Sequence, residues 1–595
     1  MEVPPQPWLA HYPEGMPSQI DPDSCGSLKE LIRQAFARFA ERPAYTSLGH
    51  TMSWREVDLA SRDLGAAFQH VLGLRRGERV AVMMPNLLQH PVCTFAALRA
   101  GLVVVNVNPL YTPRELAHQL LDSGASAIVV LEHHAHVLEQ ALLEHPGLRL
   151  QVVVTAAGDL LPPVRELVTN LVVRHVRHQV PEWRVPAATP FKELLREGSR
   201  HLLDDLPLKG GDTAFLQYTG GTTGVAKGAV LTHRNIVANV LQLAAWIARD
   251  LRDGEEVALM PLPLYHAYAL TSHLVFARIG AHMLLVANPR DPAELVGTMR
   301  RHAVTVMIGV NSLYRALLDA PGFEAVDLGR MKVCAAGGMA VQRVVAQRWK
   351  ARARVPLVEG YGLTETSPVV SSNRLDIADW TGSVGLPLPS TEVAVLDEAG
   401  RALAAGAIGE IAVRGPQVMQ GYWRRPEETQ QVFAPGGWLR TGDIGFLDAE
   451  GSLHVTDRKK DMIVVSGFKV YPNEVEDVVA MHPGVAEVAA IGVADAAAGE
   501  VVKLVVQRRD PALTAEQLTE HCRKYLTGYK VPRRIEFRAE PLPKSPIGKV
   551  LRRELREAVP ADRQGQAAPG GIAAGAAGAA AREREPAPAE AGNGS

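Results

Sequence analysis

Short apolar runs alternate with longer helix-like stretches through the first three-quarters of the chain. The runs at 80–84, 103–107, 127–131 and 151–155 predict buried strands, and the stretch 87–101 predicts a helix that ends at a glycine. Strands that alternate with helices are typical of α/β proteins, in which the sheets are buried and mostly parallel. The first part of the chain is therefore predicted to be a large α/β domain.

The pattern changes twice further along the chain. From residue 383 short strands are separated by glycine and proline turns, which predicts a small β-rich subdomain. A charged cluster at 457–461 then precedes an α+β pattern with predicted elements at 474–481 (helix), 485–493 (strand), 501–507 (strand) and 514–526 (helix). We predict a large domain over 25–456, a linker at 457–461, a small domain over 462–556 and a disordered Ala/Gly/Pro-rich tail over 560–595.

Composition excludes several classes of protein. The 595 residues include Lys+Arg 63 and Asp+Glu 64, a formal net charge of -1, which gives no reason to expect a nucleic-acid ligand. The four cysteines lie far apart, which argues against a zinc site and fits a reducing cytoplasm. The longest uncharged stretch, 257–277, contains Pro261 and Pro263 and is predicted to be a buried wall rather than a membrane-spanning helix.

The strongest local motif is YTGGTTGVAKG at 218–228. Its glycines give a flexible backbone, its threonines give hydroxyl donors and its lysine gives a positive charge. These residues are Thr219, Gly220, Gly221, Thr222, Thr223, Gly224 and Lys227. Such a loop after a strand suits a polyphosphate, although a plain Gly/Thr-rich turn is the alternative. It is not a Walker A loop, because Gly228 rather than Ser or Thr follows Lys227.

A second motif, EGYGLTETSP at 359–368, carries groups that suit a nucleotide and its metal. Tyr361 lies between two glycines, so we expect open space around a ring that could stack on a base. Thr364 offers a hydroxyl, and Glu365 is a hard oxygen ligand for Mg²⁺. Taken alone, the segment could equally be a capped turn.

A third motif, WLRTGD at 438–443, places Asp443 after a turn, where its carboxylate could accept hydrogen bonds from two ribose hydroxyls. On its own this motif is weak, because Gly-Asp turns are common. In this order and spacing the three motifs resemble the adenylate-forming superfamily of acyl-CoA synthetases, luciferases and peptide-synthetase adenylation domains. The resemblance covers nearly all of 25–556. It narrows to bacterial long-chain fatty-acid–CoA ligases at 437–460 (GWLRTGDIGFLDAEGSLHVTDRKK), 261–270 (PLPLYHAYAL) and 465–474 (VSGFKVYPNE).

The resemblance implies a role for each matching residue. ATP would be bound by Thr219, Gly220, Gly221, Thr222, Thr223, Gly224, Lys227, Gly337, Gly338, Gly360, Tyr361, Gly362, Thr364, Asp443, Arg458 and Lys549. Catalysis would use Lys549, Lys227, Thr364 and Glu365, with Mg²⁺ held by Thr219 and Glu365. The acyl group would contact His266, Ala267, Ala269, Val310 and Asn311, and coenzyme A would contact Gly467, Phe468 and Lys469. Gly220 and Ala226 depart from the commoner Ser and Pro of the loop, which the long-chain bacterial branch tolerates.

The implied reaction has two halves. A fatty carboxylate attacks the α-phosphorus of ATP and releases pyrophosphate, and the thiolate of coenzyme A then attacks the acyl-adenylate and expels AMP. The family places Lys549 and Gly467 beside the same carboxyl carbon in different steps, although both belong to the small domain. The resemblance therefore implies a mobile small domain that turns about Lys460 between the two steps.

Alternative functions differ in their substrate or lack the chemistry. The uncharged wall at 257–277 favours an alkyl chain over an amino acid, but a ligase for medium-chain or aromatic acids is the nearest alternative. A luciferase-like oxygenase shares the first half-reaction. A non-catalytic nucleotide sensor predicts damage to Lys549, Glu365 or Lys227, and all three are present.

The segment VRELVTNLVVRHVRHQ at 164–179 lies outside these motifs. Its helical pattern places on one face Val164, Leu167, Val168, Leu171, Val172 and Val176. The favoured interpretation is a surface helix packed on the sheet; the alternative is peripheral contact with the cytoplasmic face of a membrane, where long-chain acids partition. The sequence leaves open whether the chain forms a homodimer.

Overall fold

A computed structural model describes residues 6–219, 226–495, 498–546 and 548–557. The predicted tail at 560–595 and the predicted site residues Gly220, Gly221, Thr222, Thr223 and Gly224 lie outside the described residues.

Helices account for most of the connections in the first 430 residues. Among the described residues the α-helices are α1 (Leu28–Phe39), α2 (Trp54–His70), α3 (Gln89–Arg99), α4 (Pro113–Ser123), α5 (Ala135–Glu144), α6 (Pro163–Leu171), α7 (Phe191–Gly198), α8 (His233–Ile247), α9 (Ala267–Arg278), α10 (Pro292–Arg301), α11 (Asn311–Leu318), α12 (Arg343–Ala353), α13 (Pro426–Val432), α14 (Pro472–Ala480), α15 (Ala515–Tyr525) and α16 (Arg552–Glu557).

Within the part of the chain that the structure describes, the strands form four sheets. In chain order they are β1 (Pro43–Ser47), β2 (His50–Ser53), β3 (Arg79–Met83), β4 (Val103–Asn106), β5 (Ala127–Leu131), β6 (Gln151–Thr155), β7 (Thr189–Pro190), β8 (Thr213–Thr219), β9 (Lys227–Thr232), β10 (Val257–Met260), β11 (His282–Leu285), β12 (Val306–Gly309), β13 (Val333–Ala336), β14 (Leu357–Gly362), β15 (Val369–Ser372), β16 (Leu386–Pro387), β17 (Glu392–Leu396), β18 (Gly409–Arg414), β19 (Phe433–Ala434), β20 (Trp438–Leu447), β21 (Leu453–Arg458), β22 (Ile463–Val465), β23 (Phe468–Val470), β24 (Val485–Asp495), β25 (Gly499–Arg508) and β26 (Arg534–Arg538).

Two large sheets build the first part of the chain. One has the strand order β7-β6-β5-β3-β4-β8-β9 and the other β16-β15-β14-β13-β12-β10-β11-β1-β2. Their central pairs are parallel and their outer pairs at β8–β9, β14–β15, β15–β16 and β1–β2 are antiparallel. Central strands such as β4 and β5 are buried along their whole length, because helices cover both faces of a parallel sheet. The predicted large α/β domain of mostly parallel sheets is confirmed.

Two smaller sheets follow. Strands β17 to β21 form an antiparallel β-rich sheet, and β22 to β26 form a second sheet packed under α14 and α15 with its own apolar core. The helices and strands predicted at 474–481, 485–493, 501–507 and 514–526 correspond to α14, β24, β25 and α15. The small second unit is α+β, as predicted.

Two observations refine the sequence-based interpretation. The glycine-rich motif does not lead directly into a helix, because β9 pairs antiparallel with β8 before α8 begins at His233. The uncharged stretch 257–277 supplies the buried strand β10 and most of the buried helix α9. Among the described residues, no helix combines the length and the hydropathy that crossing a membrane requires.

Candidate active site

The structure brings together three of the residues predicted for phosphate and metal binding. Thr219 and Lys227 are register partners at the loop end of the β8–β9 hairpin. The Lys227 ammonium lies 5.4 Å from the centre of the Tyr422 ring, and the Tyr422 hydroxyl donates a hydrogen bond of 2.7 Å to Oε1 of Glu365. Tyr422, which the sequence analysis missed, therefore connects the phosphate loop with the predicted metal ligand.

The donor set fits a magnesium ion that is shared with a polyphosphate. Mg²⁺ commonly takes one or two carboxylates and completes its shell with phosphate oxygens and water. The Tyr422 hydroxyl occupies one oxygen of Glu365 and holds the carboxylate in place, and Thr219 ends β8 beside it. Among the residues that the structure describes, no group of three or more His, Cys, Asp and Glu could hold a metal by itself.

The predicted adenine and ribose residues are joined by a hydrogen bond and an ion pair. The Tyr361 hydroxyl donates to Oδ2 of Asp443 at 2.7 Å, and Nε of Arg458 lies 3.2 Å from Oδ1 of the same carboxylate. Burial and the neighbouring Asp443 raise the pKa of Tyr361 well above its ordinary value, so the phenol remains a donor. The ring is 9% exposed, so the open space that the sequence predicts around it is not present; it packs in a small apolar cluster.

The predicted glycines allow the backbone segments next to Tyr361 to pack closely. Gly337 and Gly338 directly follow β13, and a Cβ added at Gly337 would lie 3.3 Å from the backbone oxygen of Gly360 on β14. At Gly362 a Cβ would lie 1.9 Å from the backbone oxygen of Pro368, so only glycine fits there. Thr364 follows in a short 3-10 turn, Thr364–Thr366.

Lys549 enters this region from the small domain. It is half-buried, and its charge is close enough to Arg458 and Asp443 to interact with both. Burial and the positive charge of Arg458 lower the pKa of Lys549 to about 8, although Asp443 opposes the shift. The lysine predicted to act beside the acyl carboxyl carbon thus lies near two predicted ATP-binding residues, Asp443 and Arg458.

The predicted acyl residues lie at the start of two helices. His266 caps α9, whose first residues include the buried Ala267 and Ala269. Burial and the nearby positive charge of Lys549 lower the pKa of His266 to about 4, so the imidazole is neutral at physiological pH. His266 therefore connects the Lys549 region with the apolar wall of α9.

The second acyl segment is held by a residue that the sequence analysis did not select. Val310 is buried at the start of α11, and the amide of Asn311 exchanges two hydrogen bonds with Gln342, of 3.2 Å from Asn311 Nδ2 to Gln342 Oε1 and 3.1 Å from the Gln342 backbone to Asn311 Oδ1. This pair fixes the orientation of the Asn311 side chain.

The predicted coenzyme A residues lie elsewhere. Gly467 is in the exposed turn between β22 and β23, and Phe468 is 57% exposed and stacks on Tyr529 with 4.7 Å between ring centres. The Lys469 ammonium lies 3.7 Å from Glu398 of the β-rich sheet region. These contacts differ from those of Lys549, so the structure does not place the predicted coenzyme A residues next to Lys549.

The predicted pivot, Lys460, lies in the turn between β21 and β22. Arg552, which the sequence analysis missed, approaches Asp457 (3.6 Å) and Asp461 (3.7 Å) on either side of this turn. It also donates two hydrogen bonds, of 3.0 and 2.8 Å, to the carboxylate of Glu476 on α14. Arg552 therefore ties the linker to the small domain.

This arrangement of two large sheets, a β-rich sheet and a small domain that delivers a lysine is that of AMP-dependent ligases. The chain matches the family model described as AMP-binding enzyme over residues 32–423 and the AMP-binding enzyme C-terminal domain over 474–549. It belongs to this family and, within it, to the long-chain-fatty-acid–CoA ligases, as the motifs predict.

Individual relatives agree with this assignment. The chain is 50% identical over 555 residues to the long-chain-fatty-acid–CoA ligase of Escherichia coli O157:H7, an alignment that covers 92% of this chain and 98% of that protein. Among solved structures, the benzoate CoA ligase of Burkholderia xenovorans LB400 superposes with a TM-score of 0.76 at 26% identity, covering 89% of this chain and 99% of that one. The Mycobacterium tuberculosis fatty acyl CoA synthetase gives a TM-score of 0.63 at 28% identity, covering 89% and 98%.

Proposed function

We propose that Lys549 and Lys227 stabilise the adenylation of a long-chain fatty acid in the cleft between the large and the small domain. The chain is an ATP-dependent long-chain-fatty-acid–CoA ligase that works through an acyl-adenylate. The observation that carries the assignment of the site is the position of Lys549, whose charge acts both on His266 at the acyl helix and on the Asp443–Arg458 pair at the ribose residues.

Each residue has a defined task in the first half-reaction. Asp443 is held in place by Tyr361 and Arg458 and accepts hydrogen bonds from the ribose hydroxyls. Lys227 neutralises charge on the polyphosphate. Lys549 lies between the carboxylate and the α-phosphate, where two anions must approach each other. Its ammonium acts as a preorganised electrostatic stabiliser and transfers no proton. Mg²⁺, held by Glu365 and Thr219, would supply further charge neutralisation at the phosphates.

The second half-reaction needs a different placement of the small domain. In the present placement the turn at Gly467 is exposed and touches the β-rich sheet region through Lys469, while the loop that carries Lys549 contacts the large domain at Ser312. A rigid domain in one placement cannot bring both Gly467 and Lys549 to the same carboxyl carbon. We therefore propose that residues 462–556 rotate about Lys460 between the two half-reactions, and that this rotation admits the thiol of coenzyme A.

An exchange assay with a panel of acids tests this function. Radiolabelled pyrophosphate should be incorporated into ATP in the presence of long-chain fatty acids, more weakly with medium-chain acids and least with benzoate. Each buried methylene contributes about 0.8 kcal/mol, so the apparent affinity should rise with chain length while the apolar wall is being filled. Faster exchange with an aromatic acid than with a long-chain acid would show that aromatic acids, and not long-chain fatty acids, are the preferred substrates.

The pKa of Lys549 predicts how adenylation depends on pH. The charged lysine is the active form, so kcat/KM for exchange should be constant only well below pH 8 and fall as the pH rises through about 8, where the free enzyme loses this proton. In Lys549→Arg the guanidinium stays charged, and the alkaline fall should disappear even if the rate is lower. The assay omits coenzyme A, so no thiol titrates. An unchanged alkaline fall in Lys549→Arg would assign it to another group.

Helix α6 and the π-helical turn Val172–Val176 form an apolar surface that the protein itself does not cover. Within Pro163–Val176, all of which the structure describes, no residue is buried, so the helix lies on the surface as the favoured interpretation has it, but its apolar face is not packed against the sheet. The exposed apolar side chains are Val164, Leu167, Val168, Leu171 and Val176. In a π-helical turn residues five apart are aligned, so Val176 continues the line from Leu171.

The basic residues near the apolar face of α6 and the apolar nature of the substrate both favour a lipid surface as the binding partner of this face. His175, Arg177 and His178 are exposed at the end of the apolar face, next to Arg174, which is paired with Glu132; basic residues in this position are typical of helices that bind anionic lipids. Polar contacts fix the other side of the helix, including the bond from the Gly158 backbone to Asn170 (2.9 Å) and the Lys192–Glu166 pair. We infer that this face rests on the cytoplasmic side of a membrane, from which the fatty acid is taken.

Cosedimentation with vesicles checks the membrane contact. Leu167→Glu with Leu171→Glu should lose binding to vesicles that contain anionic lipid, because two charges enter the apolar face, while exchange activity with soluble acids stays unchanged. Leu202→Glu, at a side chain that is 88% exposed elsewhere, is the matched control and should bind normally. Equal binding by the double variant and the control would refute the contact.

A further inference from the structure

An ion-pair cluster joins helix α11 of the large domain to the small domain. Arg315 on α11 donates from Nη1 to the backbone oxygen of Ala486 at 2.7 Å and from Nη2 to the carboxylate of Glu487. Lys544 of the small domain donates to the same Glu487 carboxylate. The Glu487 side chain is 9% exposed and that of Arg315 18%, so little water screens the cluster. One carboxylate thus binds a cation from each domain.

Lys544 belongs to the loop that carries Lys549. A bridge between Lys544 and Val550 closes this loop at its base. Inside it the Ser545 backbone donates to the Lys549 oxygen at 2.7 Å, and the Lys549 backbone donates to the Ser545 hydroxyl at 3.1 Å. These bonds make the loop a compact unit, so a restraint on Lys544 also restrains the position of Lys549.

Helix α11 touches the same loop at a second point. Ser312, three positions before Arg315, donates from its hydroxyl to the backbone oxygen of Gly548 at 3.2 Å. A Cβ at Gly548 would lie 2.4 Å from the Ser312 oxygen, so the loop approaches the helix as closely as its glycine allows. One face of α11 therefore contacts the loop directly through Ser312 and indirectly through Arg315 and Glu487.

The cluster divides unequally between the domains. Glu487 and Lys544 both belong to the small domain and move together, whereas Arg315 stays with the large domain. When the small domain turns away, the Glu487–Lys544 pair is kept and the bonds to Arg315 are lost. Arg315 therefore stabilises one placement of the small domain relative to another and contributes little to the folding of either domain.

We propose that Arg315 is a positioning residue for adenylation, which holds the small domain where Lys549 reaches the cleft. This role rests on the proposed function of Lys549. Arg315 has no contact with the reacting groups itself, and it acts through Glu487 and the Lys544–Val550 loop. The role predicts that its loss impairs the half-reaction that uses Lys549 and spares the one that follows.

The two half-reactions of an Arg315→Gln variant test this role separately. Acyl-adenylate formation, measured as pyrophosphate exchange, should fall about tenfold, the effect expected when a partly buried ion pair and one backbone hydrogen bond are lost. Conversion of supplied acyl-adenylate and coenzyme A to thioester should not fall. Arg315→Lys, which keeps the charge, should recover part of the exchange rate. Arg38→Gln, which removes an ion pair with Asp253 inside the large domain, should leave both rates unchanged.

Other outcomes would overturn the role. Unchanged exchange in Arg315→Gln, or equal losses in both half-reactions of a variant with an unchanged thermal midpoint, would show that the contact does not position Lys549. If Arg315→Gln does not fold, the same selectivity must appear in Arg315→Lys. Lys549→Ala, run alongside, separates the two claims. If Lys549→Ala loses adenylation but Arg315→Gln does not, only the role of Arg315 is refuted. If Lys549→Ala adenylates normally, the proposed function of Lys549 is refuted, and the role of Arg315 with it.

Discussion

A Lys549→Ala variant should lose acyl-adenylate formation by a factor of about 10²–10³, the usual effect of removing one preorganised charge from a transition state. Lys549 is the cation that the small domain brings close enough to His266 and to the Asp443–Arg458 pair to interact with both. The same variant should still convert supplied acyl-adenylate and coenzyme A to thioester, because that step uses the other placement of the domain. Rapid-quench measurement of each half-reaction distinguishes the two effects.

The control for this variant is a second lysine of the small domain. Lys503 is paired with Glu536 at 2.6 Å on the sheet of that domain, and its side chain is 12% exposed. Lys503→Ala removes a similar charge and should affect neither half-reaction, although it can lower the thermal midpoint. If Lys549→Ala abolished both half-reactions equally in a folded protein, the mechanism with two domain placements would be wrong for this chain.

The sequence predicts those elements whose pattern is local. The buried parallel strand β5 is a continuous apolar run, β4 is apolar except at Asn106, and both form where the sequence predicts a strand. Strand β9 was not predicted, because its partner is fixed by a hairpin across the glycine-rich loop rather than by its own short pattern. The amphipathic segment at 164–179 does form a helix, but periodicity identifies an apolar face without showing what covers it.

The site was predictable where a motif carries the chemistry and not where the contact is remote. Thr219, Lys227 and Glu365 are found in motifs, but Tyr422, which connects them, is 57 positions from Glu365 and has no motif of its own. Arg552 is similarly 76 positions from its partner Glu476. Such positioning residues act through contacts that only the folded chain makes, and sequence spacing does not show them.

The converse variant, Gly467→Leu, should keep adenylation and lose thioester formation. Gly467 has φ 84° in the exposed turn between β22 and β23, and a Cβ there would meet no atom within 4 Å, so the present placement tolerates the side chain apart from local backbone strain. After the rotation this turn is expected to face the carboxyl carbon, and the leucine would occupy the space that the thiol needs. Misplacing a reacting group by about 1 Å can cost about 100-fold, so a loss of that size is expected in the second half-reaction.

Gly406→Leu separates this effect from backbone strain. Gly406 has φ 80° and equally open surroundings in the large domain, so the same substitution there carries a similar strain without approaching the thiol. Both variants should show the same pyrophosphate exchange as the unaltered enzyme, and only Gly467→Leu should accumulate bound acyl-adenylate when coenzyme A is added. If Gly467→Leu formed thioester normally, the turn at Gly467 would not be the surface that receives coenzyme A, and a single placement of the small domain would be sufficient for both steps.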